Sequence, residues 1–163
     1  MLVVVFMAIL QTTQSQIIAK KFMQAIIGSE FPKIVIPLIE NAKHSIKICV
    51  FDWRWYPDNP ANPVQLFNQS IVRAVSRGVS VSAITNFPDI VSTLVSLGVK
   101  AKKLVSKNLV HAKMIIIDGQ IVILGSHNYT QHAFAMNYEI SMMSDNIEFA
   151  DSFIKFYASL WQL

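Results

Sequence analysis

The sequence has little that could tie the chain together covalently or through a metal. Its 163 residues include one cysteine, Cys49, which excludes an internal disulfide and a cluster of cysteine metal ligands. Cys49 lies in an apolar stretch, so we interpret it as a buried, unreactive thiol. Charge is also scarce, because Asp, Glu, Lys and Arg make up 15 % of the residues and hydrophobic residues 53 %. This composition excludes a disordered chain and predicts a domain with its own core.

Repeats, low-complexity tracts and linkers are also missing, which favours a single domain over residues 1–163. The net charge of +4 suits an anionic partner such as nucleic acid or a phospholipid surface. Few charges together with high hydropathy favour an additional buried surface, such as a subunit interface.

The apolar start of the chain is too short to span a bilayer, which takes about 20 residues. It also lacks the basic leading region of a signal peptide. We expect residues 1–16 to form an apolar extension that packs on the domain or on a partner, and contact of residues 1–10 with a membrane is the alternative. The location therefore stays open between the cytoplasm, which we favour, and a membrane surface.

Strand-like and helix-like segments alternate along the rest of the chain. The hydrophobic patterns and the Pro, Gly and Asn signals predict helices over residues 31–45, 63–78, 88–98 and 146–163. They predict strands over residues 17–27, 45–53, 79–86, 99–105, 114–117, 120–123 and 137–144. The alternation predicts an α/β fold with a mixed β-sheet flanked by helices on both faces.

The stretch HAKMIIIDGQIVILGSHNYT places polar groups in and beside an apolar hairpin. The Asp-Gly pair at 118–119 is a strong signal for a two-residue turn. Such a turn would place Ile117 opposite Gln120 and Lys113 opposite Leu124, because directly opposed residues of antiparallel strands share a face.

That register brings four polar side chains to the open end of the hairpin. His111 and Lys113 share a face, Ser126 lies opposite His111, and Asn128 follows two residues later. Lys113, Ser126 and Asn128 can donate hydrogen bonds to anionic oxygens. His111 can attack or protonate, and apolar neighbours would strengthen these interactions. The set predicts a phosphate site, whereas Asp118 alone is equally well explained as a turn residue.

These residues carry a resemblance to the phospholipase D superfamily. HAKMIIIDG matches its H-x-K-x-x-x-x-D motif, which ends at Asp118, and GSHNYT matches the G-S-x-N element that follows. NYEI resembles the downstream segment that supplies an acidic residue. The order of strands and helices from about Gly28 onwards is similar to that of a small single-motif nuclease of this superfamily. The resemblance implies a phospholipase D/nuclease-like fold and makes Asp118 a candidate catalytic residue.

The resemblance also implies phosphodiester hydrolysis through a covalent phosphohistidine, with no metal and no other cofactor. His111 would be the nucleophile or, in a second subunit, the general acid. Lys113 and Asn128 would bind the phosphate, and Ser126 would assist. Glu139 would accept the second ring N–H of His111, fixing its tautomer.

Larger members of the superfamily carry two such motifs, and this chain carries one. His44 and Lys47 lie in a second segment, but their spacing is wrong. The reaction needs a neutral histidine that attacks and a protonated one that donates. The resemblance therefore implies a homodimer with one shared active site on its two-fold axis. We favour a nucleic acid substrate, mainly DNA; a lipid phosphodiester and a catalytically dormant nucleic-acid-binding dimer are the alternatives.

The stretch FDWRWYPDNPANP follows a predicted strand and holds Trp53, Arg54 and Trp55. As a loop beside the active cleft, its aromatic rings would stack on bases and Arg54 would contact phosphate. Ordinary packing at a strand end explains the same residues equally well. The basic stretch 100–107 could steer nucleic acid, although a solvated face is the more common explanation.

Two further histidines allow a competing interpretation. His127 and His132, together with His111, Asp118 and Glu139, could hold a metal ion. We disfavour this site, because His127 should point away from its neighbours Ser126 and Asn128 if the strand continues.

Overall fold

A computed structural model describes residues 23–163. The predicted N-terminal extension and the first part of the predicted strand 17–27 lie outside these residues. Seven strands are formed: β1 (Met23–Ile27), β2 (Ser45–Val50), β3 (Ser80–Thr85), β4 (Lys100–Lys102), β5 (Lys113–Ile117), β6 (Ile121–Gly125) and β7 (Ile140–Ser144). They make one sheet in the order β1-β7-β6-β5-β2-β3-β4.

The sheet is mixed. β2, β3 and β4 run parallel to one another, and the pairs β1–β7, β7–β6, β6–β5 and β5–β2 are antiparallel. The helices are α1 (Phe31–Asn41), α2 (Pro63–Ser76), α3 (Pro88–Ser96), α4 (Gln131–Ala135) and α5 (Ile147–Trp161), and a 3₁₀ turn spans Gly28–Glu30. The predicted α/β fold is confirmed; α4, a helix of five residues, was not predicted.

Local signals explain where the longer helices begin. The Asn62 side chain accepts the N–H of Val64 at the start of α2, at 2.9 Å, and Pro63 occupies a first-turn position where a missing N–H costs nothing. The Asn146 side chain caps α5 by accepting the N–H of Glu148 at 3.1 Å. In the part of the chain that the structure describes, no helix is long and apolar enough to span a bilayer.

Alternation along the strands divides the core between the two faces of the sheet. Ile46 and Ile48 of β2 point into a large cluster under α1 to α4. Cys49 points to the other face and packs with Met114 and Ile116 beneath α5. Burial raises the pKa of Cys49 to about 12, which agrees with the predicted inert thiol.

The hairpin register predicted from a two-residue loop is wrong by one position. Ile117 pairs with Ile121, and Leu124 lies opposite Met114 instead of Lys113. The turn itself forms as expected, because the Gln120 N–H donates to the Ile117 carbonyl at 3.0 Å. Gln120 remains unpaired between the turn and β6, so every residue of β5 pairs one position later in β6 than predicted.

Candidate active site

His111 and Lys113 meet at the end of the sheet where β5 begins. Lys113 Nζ lies 3.2 Å from His111 Nδ1 and donates to the His111 carbonyl at 2.7 Å. The Phe51 ring, just beyond β2, supports both groups: its centroid lies 5.0 Å from that of the imidazole and 5.2 Å from Nζ. His111 is exposed and Lys113 is half-buried, so packing orients a histidine and an ammonium that a ligand can reach. This supporting role of Phe51 was not predicted from the sequence.

Glu139 lies close enough to Lys113 for its charge to act on the ammonium. Burial lowers the pKa of Lys113, while the charge of Glu139 acts in the opposite direction. The Ser126 hydroxyl donates to Glu139 Oε2, and Asn137 Nδ2 donates to Oε1 at 3.0 Å. The predicted bond from His111 to Glu139 is not formed within residues 23–163, since His111 Nδ1 faces Lys113 instead. That bond stays a prediction for the assembled site.

Gly125 lets the strand that carries Ser126 approach β7 closely. A Cβ at Gly125 would lie 2.3 Å from Ser141 Oγ and 2.4 Å from the Ile140 carbonyl oxygen, which no larger residue could tolerate. Because β6 and β7 meet this tightly, the Ser126 hydroxyl can also accept the Ile140 N–H at 3.1 Å. Steric crowding therefore explains why the G-S-x-N element has a glycine at this position.

Asn128 is held by the segment that follows β2. Its Oδ1 accepts the Asp52 N–H at 3.1 Å, which fixes the orientation of the amide. Asp52 and Tyr129 are joined again through their backbones, as the Tyr129 N–H donates to the Asp52 carbonyl at 2.9 Å. With Oδ1 engaged, the NH₂ group of Asn128 remains as a donor for a ligand.

His127 is fully buried between the two site residues that flank it in the sequence. Its Nε2 lies 3.0 Å from the Gly28 carbonyl and its Nδ1 lies 2.7 Å from Ser141 Oγ. Because a carbonyl can only accept, Nε2 carries the proton and Ser141 donates to Nδ1. The ring stacks on Phe31 at 4.5 Å, and burial lowers the pKa of His127 against opposing effects of Gly28 and Glu139. His127 thus supports the site through buried contacts with Gly28, Ser141 and Phe31. This supporting role was not predicted from the sequence.

Asp118 stands apart from the other candidates, at the turn end of the hairpin. Its carboxylate accepts the backbone N–H groups of Lys43, His44 and Ser45 at 2.8, 2.7 and 2.9 Å. Burial raises the pKa of Asp118, but these three bonds outweigh it and the net pKa is lowered. Asp118 therefore connects the hairpin turn to the start of β2. The full length of β5 separates it from His111.

The loop after β2 is divided between the core and the surface. Trp53 is fully buried and its indole N–H donates to Asn68 Oδ1 at 2.7 Å, so the prediction that Trp53 stacks on bases is wrong. Trp55 is half-buried and packs against the same core. Arg54 is exposed beside Asp52, with Nε 2.8 Å from a carboxylate oxygen, and a ligand can still reach its guanidinium.

The competing metal site is dispersed. His127 is bonded inside the core, Asp118 is bonded in the turn, and His132 is exposed on α4. Among residues 23–163, no three His, Cys, Asp or Glu side chains come together in an arrangement that could hold a metal ion.

A groove of about 420 Å³ opens beside the histidine and lysine. Apart from these two residues its lining is mainly apolar and comes from β5, β6 and α5: Ala112, Met114, Leu124, Gly125, Ser152, Phe153 and Phe156. The site thus combines hydrogen-bond donors with an adjoining apolar surface.

This fold and these residues define a phospholipase D-like domain. A family described as "Cardiolipin synthase, PLD-like domain" matches residues 35–161, and the chain belongs to that family. It is similar to the mitochondrial cardiolipin hydrolase of Xenopus laevis, with 26 % identity over 144 residues. It is also similar to Phospholipase D Y of Dictyostelium discoideum, with 32 % identity over 127 residues.

These matches cover 82 % and 67 % of this chain, but 62 % and 29 % of the two relatives. Two solved structures share the fold at 23 % identity. Nuc of Salmonella typhimurium, a phospholipase D family member, has a TM-score of 0.74 over 88 % of this chain and 95 % of its own. NucT of Helicobacter pylori has a TM-score of 0.69 over 88 % and 97 %.

Proposed function

We propose that this protein is a metal-independent phosphodiesterase that cleaves DNA, or RNA, through a covalent phosphohistidine. One observation carries the proposal: an exposed imidazole, His111, is held 3.2 Å from the ammonium of Lys113. The NH₂ group of Asn128 lies at the same end of the sheet, as does the Ser126 hydroxyl, which donates its proton to Glu139. A nucleophile beside fixed donors is what phosphoryl transfer requires, because its transition state carries negative charge on the phosphate oxygens.

Phosphate binding would also activate the histidine. In the structure the Lys113 ammonium faces His111 Nδ1, so the lone pair of that nitrogen is engaged. A phosphate would draw Lys113 away because an ammonium binds a full anion more strongly than an imidazole nitrogen. Nδ1 could then carry the ring proton, with Glu139 as its acceptor, and the lone pair of Nε2 would be free to attack.

The reaction would take two steps. In the first, His111 Nε2 forms a bond to phosphorus while the bond to the leaving alcohol oxygen breaks, and a protonated second histidine gives that oxygen its proton. In the second, water attacks phosphorus and gives its proton to the now neutral second histidine, which releases His111 and a phosphomonoester. The second histidine would be His111 of another copy, since the chain contains one such motif.

Exposed apolar side chains beside the site support such a dimer. Met136, Tyr138 and Ile140 flank Glu139, and 66, 107 and 61 % of their surfaces are exposed. A second copy placed with its His111 opposite the first would cover part of this surface.

Nucleic acid is favoured by the net charge of +4 and by the exposed guanidinium of Arg54. The groove beside His111 favours a second candidate, a lipid phosphodiester, because Phe153 and Phe156 could contact an acyl chain. The names of the cardiolipin hydrolase and phospholipase D relatives point to the same alternative.

Incubation with DNA, RNA and phospholipid vesicles, each in excess EDTA, tests the proposal. We expect cleavage of at least one nucleic acid, and no cleavage by a His111→Ala control. Cleavage of phospholipid alone would select the second candidate. Activity that disappears in EDTA and returns with a divalent cation would contradict the mechanism.

A further inference from the structure

A short loop next to His111 projects from the domain between two anchored ends. Leu104 and Val110 are buried, with 8 and 5 % of their surfaces exposed. Asn86 holds the second end, since its side chain donates to the Val110 carbonyl at 2.8 Å and accepts the Val110 N–H at 3.1 Å. All five residues between these ends, 105–109, are exposed. The 105–109 loop is therefore held firmly at its base, and its side chains point outwards.

Three of the five exposed side chains of this loop are aliphatic or basic, and the other two are uncharged and polar. Val105 is 90 % exposed and Leu109 69 % exposed, although water disfavours both side chains. Lys107 lies between them and Lys103 precedes them, both exposed. From 90 to 117 the sequence contains five lysines and no acidic residue. Aliphatic tips surrounded by lysines, without counter-charges along the chain, are typical of surfaces that bind anionic membranes.

We infer that the 105–109 loop docks on the surface of an anionic lipid bilayer, with Val105 and Leu109 entering the boundary between headgroups and acyl chains. Lys103 and Lys107 would bind the anionic headgroups around them. Docking would bring His111, two residues beyond Leu109, towards the bilayer surface. This inference concerns where the enzyme works, and it holds whichever phosphodiester the active site cleaves.

Two other partners fit the loop less well. Nucleic acid would bind the lysines, but aliphatic tips offer no ring on which a base could stack. A second copy that met this loop across a two-fold axis would bring Lys107 close to its own equivalent, and like charges repel. A bilayer satisfies both the aliphatic and the basic side chains.

Vesicle flotation with the full chain tests the inference, using phosphatidylcholine vesicles that contain about one third phosphatidylserine. All chains carry His111→Ala, so that binding is read without turnover and failure of the proposed hydrolysis leaves the test intact. We expect Val105→Ser with Leu109→Ser to weaken binding about tenfold. Lys107→Gln should weaken it about fivefold, and high salt should remove that difference.

A matched control replaces two exposed aliphatic residues elsewhere, Val95→Ser with Leu66→Ser, whose surfaces are 53 and 43 % exposed. This control should bind vesicles like the parent chain. Three results would overturn the inference: unchanged vesicle binding by the loop variant, conversion of a dimer to a monomer by that variant in sedimentation, or an equal loss of its binding to DNA.

Discussion

The two ends of the β5–β6 hairpin carry polar side chains in opposite situations. At the turn end, the Asp118 carboxylate accepts three backbone N–H groups at 2.7 to 2.9 Å. At the open end, the His111 ring is exposed and has one polar side-chain neighbour among the described residues, Lys113 at 3.2 Å. At the turn end, the carboxylate is fully hydrogen-bonded within the chain. At the open end, the imidazole remains accessible to a ligand.

Within a single motif, one polar residue therefore stabilises the fold and another is accessible to a ligand. A buried or bonded carboxylate stabilises the fold because each N–H that it accepts would otherwise lack a partner. An oriented group without a full set of partners can bind a ligand at little cost of reorganisation. Although the motif links His111 and Asp118 in sequence, their surroundings assign them different tasks.

The largest expected effect is on activity at the open end. His111→Ala should lower turnover by at least about a thousandfold, because it removes the proposed nucleophile. The free energy of unfolding should change by less than about 1 kcal/mol, since the ring is exposed. Cleavage assays and thermal unfolding measure the two effects, with the exposed His132→Ala as the control. Near wild-type activity in pure His111→Ala protein would contradict the assignment.

The turn end should respond in the opposite way. Asp118→Ala should lower the free energy of unfolding by about 2–4 kcal/mol, because three N–H groups lose a charged acceptor that is itself only partly buried. Activity per folded molecule should stay within about twofold. Urea unfolding and cleavage assays measure both, with the exposed Asp58→Ala as the control. A variant of normal stability that has lost its activity would return Asp118 to the catalytic set.

The same residue makes part of this stability depend on pH. Since the pKa of Asp118 is lowered on folding, its contribution is fully present above the ordinary aspartate pKa of about 3.9. It is lost as the pH falls through the lower pKa of the folded state. The stability difference between wild type and Asp118→Asn should therefore shrink below about pH 4.

Much of this architecture could be predicted because its signals are local. Alternating patterns and Pro, Gly and Asn signals predicted the strands and long helices to within a few residues. The hairpin register could not be predicted, since an Asp-Gly signal is compatible with hairpin loops of two residues and of three. The predicted convergence therefore rested on a wrong register, although His111 and Lys113 do meet at that end.

The supporting contacts of the site lay beyond prediction for a similar reason. Phe51 and His127 act through packing with residues distant in sequence. Strand alternation predicted that His127 points away from Ser126 and Asn128, but not which residues it would contact. Trp53 shows the reverse case, because an aromatic residue beside a strand end is compatible with either the core or a ligand. The burial of Trp53 shows that it belongs to the core, and burial depends on the whole fold.

Glu139 combines features of both ends, since it is bonded to its neighbours and its charge also reaches Lys113. Glu139→Gln keeps an acceptor for Ser126 and removes the charge, so kcat should fall about tenfold. Because that charge raises the pKa of Lys113, its loss should move the alkaline decline of activity to lower pH.

A pH–rate profile measures this shift, and Asn137→Ala, which keeps the carboxylate, is the control. If Glu139→Gln lowers activity without moving the profile, the charge of Glu139 does not act through Lys113.

The smallest effect would reveal whether the open end is complete in one chain, as the turn end is. The proposed reaction needs an attacking and a protonating histidine, and each chain supplies one through its single motif. If two copies share one site, a wild-type chain paired with His111→Ala should be inactive. After equal amounts exchange at random, about one quarter of the dimers are fully wild type, as expected for a symmetric pair. Activity should fall to about that fraction of the value for wild type alone at the same total protein.

Mass spectrometry of differently tagged chains would verify the exchange. Activity that stays near one half would mean that each chain works alone, and the second proton donor would then have to come from the same chain.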